Sequence, residues 1–220
     1  MKKRNFVLLI LCFMLLCSMA VSAKLIYNAP DVHEPKEYLD VPEDHWAKEY
    51  IDYISSRTPY ILDESEWFQP DYIPGREECM SAVVKLFRLE TSTTFEKVFI
   101  DVYPDTWYAG YVQTMYDHGV VHGTGNGEFG TGRIITREEM VSVVMRTYAL
   151  FDDGQEDQET VDFSMPTDIE DVSDWAQEYI KSAYEKGIVV GAPENEFRPG
   201  DYTTKAENIA VIARALMRLS

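Results

Sequence analysis

Three basic residues share one local setting: Arg76, Arg137 and Lys205 each stand two residues ahead of a glutamate, Glu78, Glu139 and Glu207. Thr136-Arg137-Glu138-Glu139 and Thr204-Lys205-Ala206-Glu207 have the Thr-x-x-Glu pattern of a capping box, in which hydroxyl and carboxylate satisfy free backbone N–H groups at a helix start. Gly75-Arg76-Glu77-Glu78 keeps the glutamate and puts glycine, a tolerable cap, in place of the threonine. A cation in a first helical turn faces the positive end of the macrodipole, where an acid would be favoured by about a few tenths of a kcal/mol. Free N–H groups beside a guanidinium suit an anion such as a carboxylate, which arginine grips with two parallel hydrogen bonds. An ion pair with a neighbouring acid is the competing reading of the same residues. Lys205 is a point charge without the planar fork, so its site is expected to bind more weakly or differently.

These bases belong to a repeat. Counted from Trp46, Trp107 and Trp175, an aromatic recurs 22 residues on (Phe68, Phe129, Phe197), the base 30 on and the glutamate 32 on. Apolar residues at offsets 4, 5 and 8 (Tyr50, Ile51, Ile54; Tyr111, Val112, Met115; Tyr179, Ile180, Ala183) mark one face of an amphipathic helix. Gly119 and Gly187 should end two of these helices with positive φ, whereas the first copy has Thr58-Pro59 there and must end differently. The capping boxes then open a second helix per repeat. A two-helix unit of this size cannot enclose its own apolar face, so three should pack together. The expected fold is mainly α: three helix-loop-helix repeats packed as one pseudo-threefold helical body. The expected segments are 1–23 a signal peptide, 24–37 a linker, 38–89 a divergent first repeat, 99–148 the second, 149–166 an acidic linker and 167–216 the third. An Asp-Val pair precedes each tryptophan: Asp40-Val41, Asp101-Val102 and Asp171-Val172, the last two residues closer. These aspartates could accept sugar hydroxyls or cap the following turn, and the tryptophans could stack on a sugar ring or belong to the core.

Lys2, Lys3 and Arg4 precede an apolar run, and Val21-Ser22-Ala23 supplies the small residues of a cleavage site. The uninterrupted run is short for a spanning helix. Cleavage after Ala23 would remove those three bases and take the net charge from −18 to −21. That acidity argues against nucleic acid, whose binding rests on neutralised phosphates, and against an anionic membrane surface. Cys12 and Cys17 lie in the leader, leaving Cys79 alone, so no intramolecular disulfide or cysteine-based metal site is expected. No other metal site, cofactor motif or catalytic set stands out. Gly119 should interrupt His118 and His122, the acidic run lacks calcium-loop spacing, and adjacent acids such as Glu138-Glu139 point apart.

Phe99-Ile100-Asp101-Val102, Trp107, Gly119-Val120-Val121-His122-Gly123, Gly127-Glu128-Phe129 and Ile135-Thr136-Arg137-Glu138-Glu139 together resemble an S-layer homology motif. The third copy resembles it through Asp171-Val172, Trp175, Gly187-Ile188, Gly191, Phe197-Arg198-Pro199 and Thr204-Lys205-Ala206-Glu207. The first does so more weakly, through Leu39-Asp40-Val41, Trp46, Trp67-Phe68, Pro70 and Gly75-Arg76-Glu77-Glu78. The resemblance implies a secreted, non-catalytic surface-anchoring module whose inter-repeat grooves hold a secondary cell-wall polysaccharide, often an anionic, pyruvylated one. Carried over residue by residue, it nominates Arg137, Arg76 and Lys205, with Asp101, Asp40 and Asp171, Trp107, Trp46 and Trp175, and Gly123 and Gly191. The first repeat has Thr58 and Leu62 where the second has Gly119 and Gly123, so the Arg137 pocket is expected to be the best of fewer than three. The alternative is a module that contacts other surface-layer proteins and has lost much of its sugar binding.

Overall fold

The computed structural model describes residues 25–58, 65–152, 164–190 and 195–220. The expected signal peptide, Leu62, most of the acidic linker and Gly191 lie outside them. The described residues form six α-helices: α1 (Lys48–Arg57), α2 (Arg76–Leu86), α3 (Ala109–Asp117), α4 (Arg137–Tyr148), α5 (Gln177–Glu185) and α6 (Lys205–Arg218). They contain isolated β-bridges and no strand, and no helix among them is long and apolar enough to cross a membrane.

The second helix of each repeat starts as its sequence dictates. Thr136 Oγ1 accepts from Glu139 N at 3.4 Å while Glu139 Oε2 accepts from Thr136 N at 3.0 Å; Thr204 and Glu207 repeat the exchange at 3.2 and 2.8 Å. At Gly75 only the return bond exists, Gly75 N to Glu78 Oε2 at 2.7 Å. Helices α3 and α5 end at Gly119 (φ 69°) and Gly187 (φ 64°). Helix α1 stops at Thr58, whose backbone N–H and hydroxyl both donate to Ile54 O, at 2.9 and 2.7 Å.

Packing crosses between repeats. Each first helix lies on the second helix of the preceding repeat: α3 on α2, α5 on α4, and α1 back on α6. Helices α2, α4 and α6 also meet one another. Ile51, Met80, Met115, Met140, Ile180 and Ile212 are among the side chains fully buried between them. Burying such a side chain contributes roughly 1.5–3 kcal/mol, and no repeat reaches that burial without its neighbours.

Backbone bonds at one recurring offset tie the repeats in the same order. Arg76 N donates to Arg133 O (2.9 Å), Arg137 N to Asp201 O (2.8 Å) and Lys205 N to Tyr72 O (2.7 Å). Each acceptor stands 26 residues after its tryptophan, and the third bond returns from the last repeat to the first. Each cationic helix start is thereby seated against the loop of the next repeat.

Candidate ligand clefts at the repeat junctions

At each junction the base of one repeat meets the glutamate or aromatic of the next. Arg137 Nη2 pairs with Glu207 Oε1 at 2.8 Å, and Glu207 is itself fixed by its capping bond. The arrangement is the ion pair that competed with the anion-site reading, but it leaves Arg137 Nε buried without a partner. Arg76 is more committed: its Nε donates to Phe129 O at 3.0 Å, its guanidinium lies 5.0 Å from the Phe129 ring, and its Nη1 stands 3.9 Å from Glu139. Burial lowers the Arg76 pKa, opposed by Glu139. Glu139 also pairs with Arg133. Burial raises its pKa, but the Thr136 N–H, Arg133 and Arg76 bring it below the usual carboxylate value. Lys205 places its amine 4.6 Å from the Phe68 ring.

Three clefts open beside these bases. The first, about 360 Å³, is lined by Arg76, Gly123, Arg133, Glu139, Arg146 and Trp175 among others. The second, about 380 Å³, includes Trp46, Arg137, Arg198, Glu207 and Arg214. The third, about 410 Å³, includes Gln69, Tyr72, Glu78, Cys79 and Lys205. The first two each take side chains from all three repeats, joining the base of one, the glutamate of the next and the tryptophan of the one after. Arg76, Arg133 and Arg146 share the first cleft with Glu139; Arg137, Arg198 and Arg214 share the second with Glu196 and Glu207; Lys205 shares the third with Glu78. Positive charge is thus concentrated in two clefts of a strongly acidic chain.

The tryptophans are not core. Trp46, Trp107 and Trp175 are 55%, 58% and 48% exposed, with Trp46 and Trp175 in clefts and Trp107 outside the third. Gly123 lines the first cleft at φ 84°, where an added Cβ would lie 2.4 Å from Glu128 O and 2.8 Å from Phe99, so the loop passes too close for any side chain.

The aspartates hold loops. Asp101 accepts from Phe129 N, Gly130 N and Thr131 N at 2.7, 2.8 and 2.8 Å, and Asp40 accepts from Phe68 N and Gln69 N at 2.7 and 2.6 Å. The third repeat corrects the sequence alignment: the equivalent residue is Asp168, bonded to Phe197 N and Arg198 N at 2.7 Å each. Asp171 lies exposed in a 3₁₀ turn, Ile169–Asp171, inserted between Asp168 and Val172. Val172 keeps the buried place of Val41 and Val102, so only the aspartate shifts. Burial raises the pKa of Asp101 and Asp168, but their backbone N–H donors outweigh it and leave both below the usual value. Asp40 and Asp168 thereby position Gln69 and Arg198, which line clefts.

A second set of cations, Lys85, Arg146 and Arg214, was not singled out in the sequence. Each stands 39 residues after its tryptophan and over the tyrosine four residues after the next: Lys85 is 5.2 Å from the Tyr111 ring, Arg146 is 4.7 Å from Tyr179, and Arg214 is 4.5 Å from Tyr50. Arg146 also lies 5.8 Å from Trp175. The constant offset was the available signal. Among the described residues, no group of three His, Cys, Asp or Glu side chains is placed to hold a metal ion.

The S-layer homology domain family matches residues 99–141 and 167–207. An amylopullulanase of Thermoanaerobacterium thermosulfurigenes is 31% identical over 66% of this chain and 8% of its own length. A cellulosome-anchoring protein of Acetivibrio thermocellus is 28% identical over 69% of the chain and 34% of its own length. An S-layer protein of Bacillus thuringiensis subsp. finitimus is 27% identical over 81% and 21%. The chain thus spans only a minor part of each of these relatives.

Proposed function

Because residues 99–141 and 167–207 are S-layer homology segments, we propose that the chain is a non-catalytic cell-surface anchoring module that binds an anionic wall polysaccharide in its junction clefts. The observation that carries this reading is the gathering of arginines beside half-exposed tryptophans in two clefts of a chain with net charge −18. Salt screens exposed charges beyond about 8 Å, so a few guanidiniums govern a pocket while the remaining surface stays acidic. A carboxylate on the polymer, such as that of a pyruvate ketal, meets the Arg137 fork and displaces or shares the Glu207 contact, while an indole face covers the apolar side of a sugar ring. The relatives' names, a cellulosome-anchoring protein and an S-layer protein, support a surface setting.

Sedimentation with cell-wall sacculi, before and after their secondary polymer is stripped, tests the proposal. Binding is expected only to the unstripped wall; equal binding to both would refute it. The exposed Trp107, which lines none of these three clefts, favours a second reading in which the module also contacts other surface-layer proteins. Binding to protein-free wall that matches binding to wall coated with its native surface proteins would count against that reading.

A further inference from the structure

The second cleft gathers four buried polar atoms without a partner, against one in each of the other two, Arg146 Nε in the first and the shared Asn208 Oδ1 in the third. Tyr184, Thr203 and Asn208 line it at 2%, 3% and 5% exposure. The Tyr184 hydroxyl, Thr203 Oγ1 and Asn208 Oδ1 each have no hydrogen-bond partner, as does Arg137 Nε beside them. Buried polar atoms are rarely left so, because each unpaired group carries its full desolvation cost. Four in one cleft are a local concentration of that cost.

The repeats supply their own controls. At the place of Thr203 the other copies have Pro74 and Ile135; at that of Asn208 they have Cys79 and Met140; at that of Tyr184 they have Ser55 and Tyr116. Ile135 and Met140 are fully buried in the same role within the same helix-loop-helix unit. The fold is therefore satisfied by apolar residues at two of these positions, and the polar ones in the third repeat answer to something else. Asn208 Nδ2 approaches Cys79 Sγ at 3.6 Å, which holds the amide in place while its oxygen stays unpaired.

We propose that Tyr184, Thr203 and Asn208 form an uncharged subsite on the floor of the second cleft that receives a sugar hydroxyl of the bound polymer. A hydroxyl both donates and accepts, which matches an amide oxygen on one side and two hydroxyl donors on the other. This rests on the polysaccharide reading above and adds to it: the Arg137 cleft is selective as well as anion-binding, because a site built to hydrogen-bond a hydroxyl discriminates against a ligand that lacks one. The first cleft, with its surplus of arginines, reads charge without this discrimination.

The test uses Tyr184→Phe, Thr203→Val and Asn208→Met in the full mature chain, with Arg137→Ala alongside. Melting temperature and half-saturation of binding to unstripped sacculi are the readouts. Each of the three is expected to weaken wall binding by about two- to tenfold, the range of one lost hydrogen bond. Melting temperature should be unchanged or raised, because an apolar isostere removes an unpaired polar group. Wild-type wall binding by the three variants, with binding lost in Arg137→Ala, would overturn the subsite and leave the polysaccharide reading standing. Loss of binding in none of the four would overturn that reading as well. A lowered melting temperature in all three with wall binding intact would assign the groups to internal hydration and overturn the subsite.

Discussion

Asp168 and Asp171 are three residues apart, of identical type, and expected to respond very unequally to truncation. Asp168→Ala removes the acceptors of two backbone bonds at 2.7 Å, from Phe197 N and Arg198 N. A hydrogen bond to a charged group contributes about 1.5–3 kcal/mol. Phe197 is buried, so its amide loses its partner without gaining water; the Arg198 amide is exposed and rehydrates. The expected cost is therefore about 2–4 kcal/mol, dominated by the Phe197 bond. Asp171 is exposed on the 3₁₀ turn, and its replacement should stay within about 0.5 kcal/mol. Urea unfolding followed by circular dichroism measures both. With a slope of about 2 kcal/mol/M, Asp168→Ala should lower the midpoint by about 1–2 M and Asp171→Ala by less than about 0.3 M. Equal effects, or a larger one at Asp171, would refute the assignment of Asp168 as the loop staple of the third repeat.

Other perturbations follow from the same geometry. Asp101, Asp168 and Glu139 have pKa values lowered in the folded chain, so their stabilisation is complete above about pH 4–5 and is lost as pH falls through their folded values; Asp101→Asn should flatten the fall of the urea midpoint between pH 5 and 3, and an unchanged slope would contradict it. Gly123→Ala should destabilise by about 2 kcal/mol or more in the same assay, from positive φ and the 2.4 Å approach to Glu128 O. Arg214→Ala removes the 2.9 Å bond to Tyr50 Oη and the stack on its ring, which join α6 to α1; a loss of about 1–2 kcal/mol is expected, and a neutral result would mean that this junction is held by apolar packing alone.

What could be read from the sequence divides along physical lines. Helix starts and stops were legible because Thr136, Thr204, Gly119 and Gly187 act through their own chemistry within one turn. Packing partners were not, because the apolar face of α3 specifies burial without specifying that α2 of the previous repeat provides it. The tryptophans precede their helices by two residues, so the helical stripe that buries Ile51 or Ile180 does not extend to them. The Asp-Val dipeptide recurs at Asp171 by local coincidence, while three inserted residues separate the true staple, Asp168, from Val172. Asp168 lies 7 residues before its tryptophan, close to the 6 of Asp40 and Asp101, and that spacing was the better guide. Thr203 and Asn208 replace apolar residues of the second repeat at the same offsets, which the sequence shows, but that these groups and Tyr184 are buried without partners is visible only in the structure.

The central claim is that carboxylates on a wall polymer are held by the arginine clefts. Its most direct test is titration calorimetry of residues 24–220 with purified wall polymer, native and after chemical reduction of the polymer's carboxylates to alcohols. Saturable binding to the native polymer, lost on carboxyl reduction and weakened by Arg137→Ala, is the predicted result. Equal affinity for the native and carboxyl-reduced polymers would contradict it.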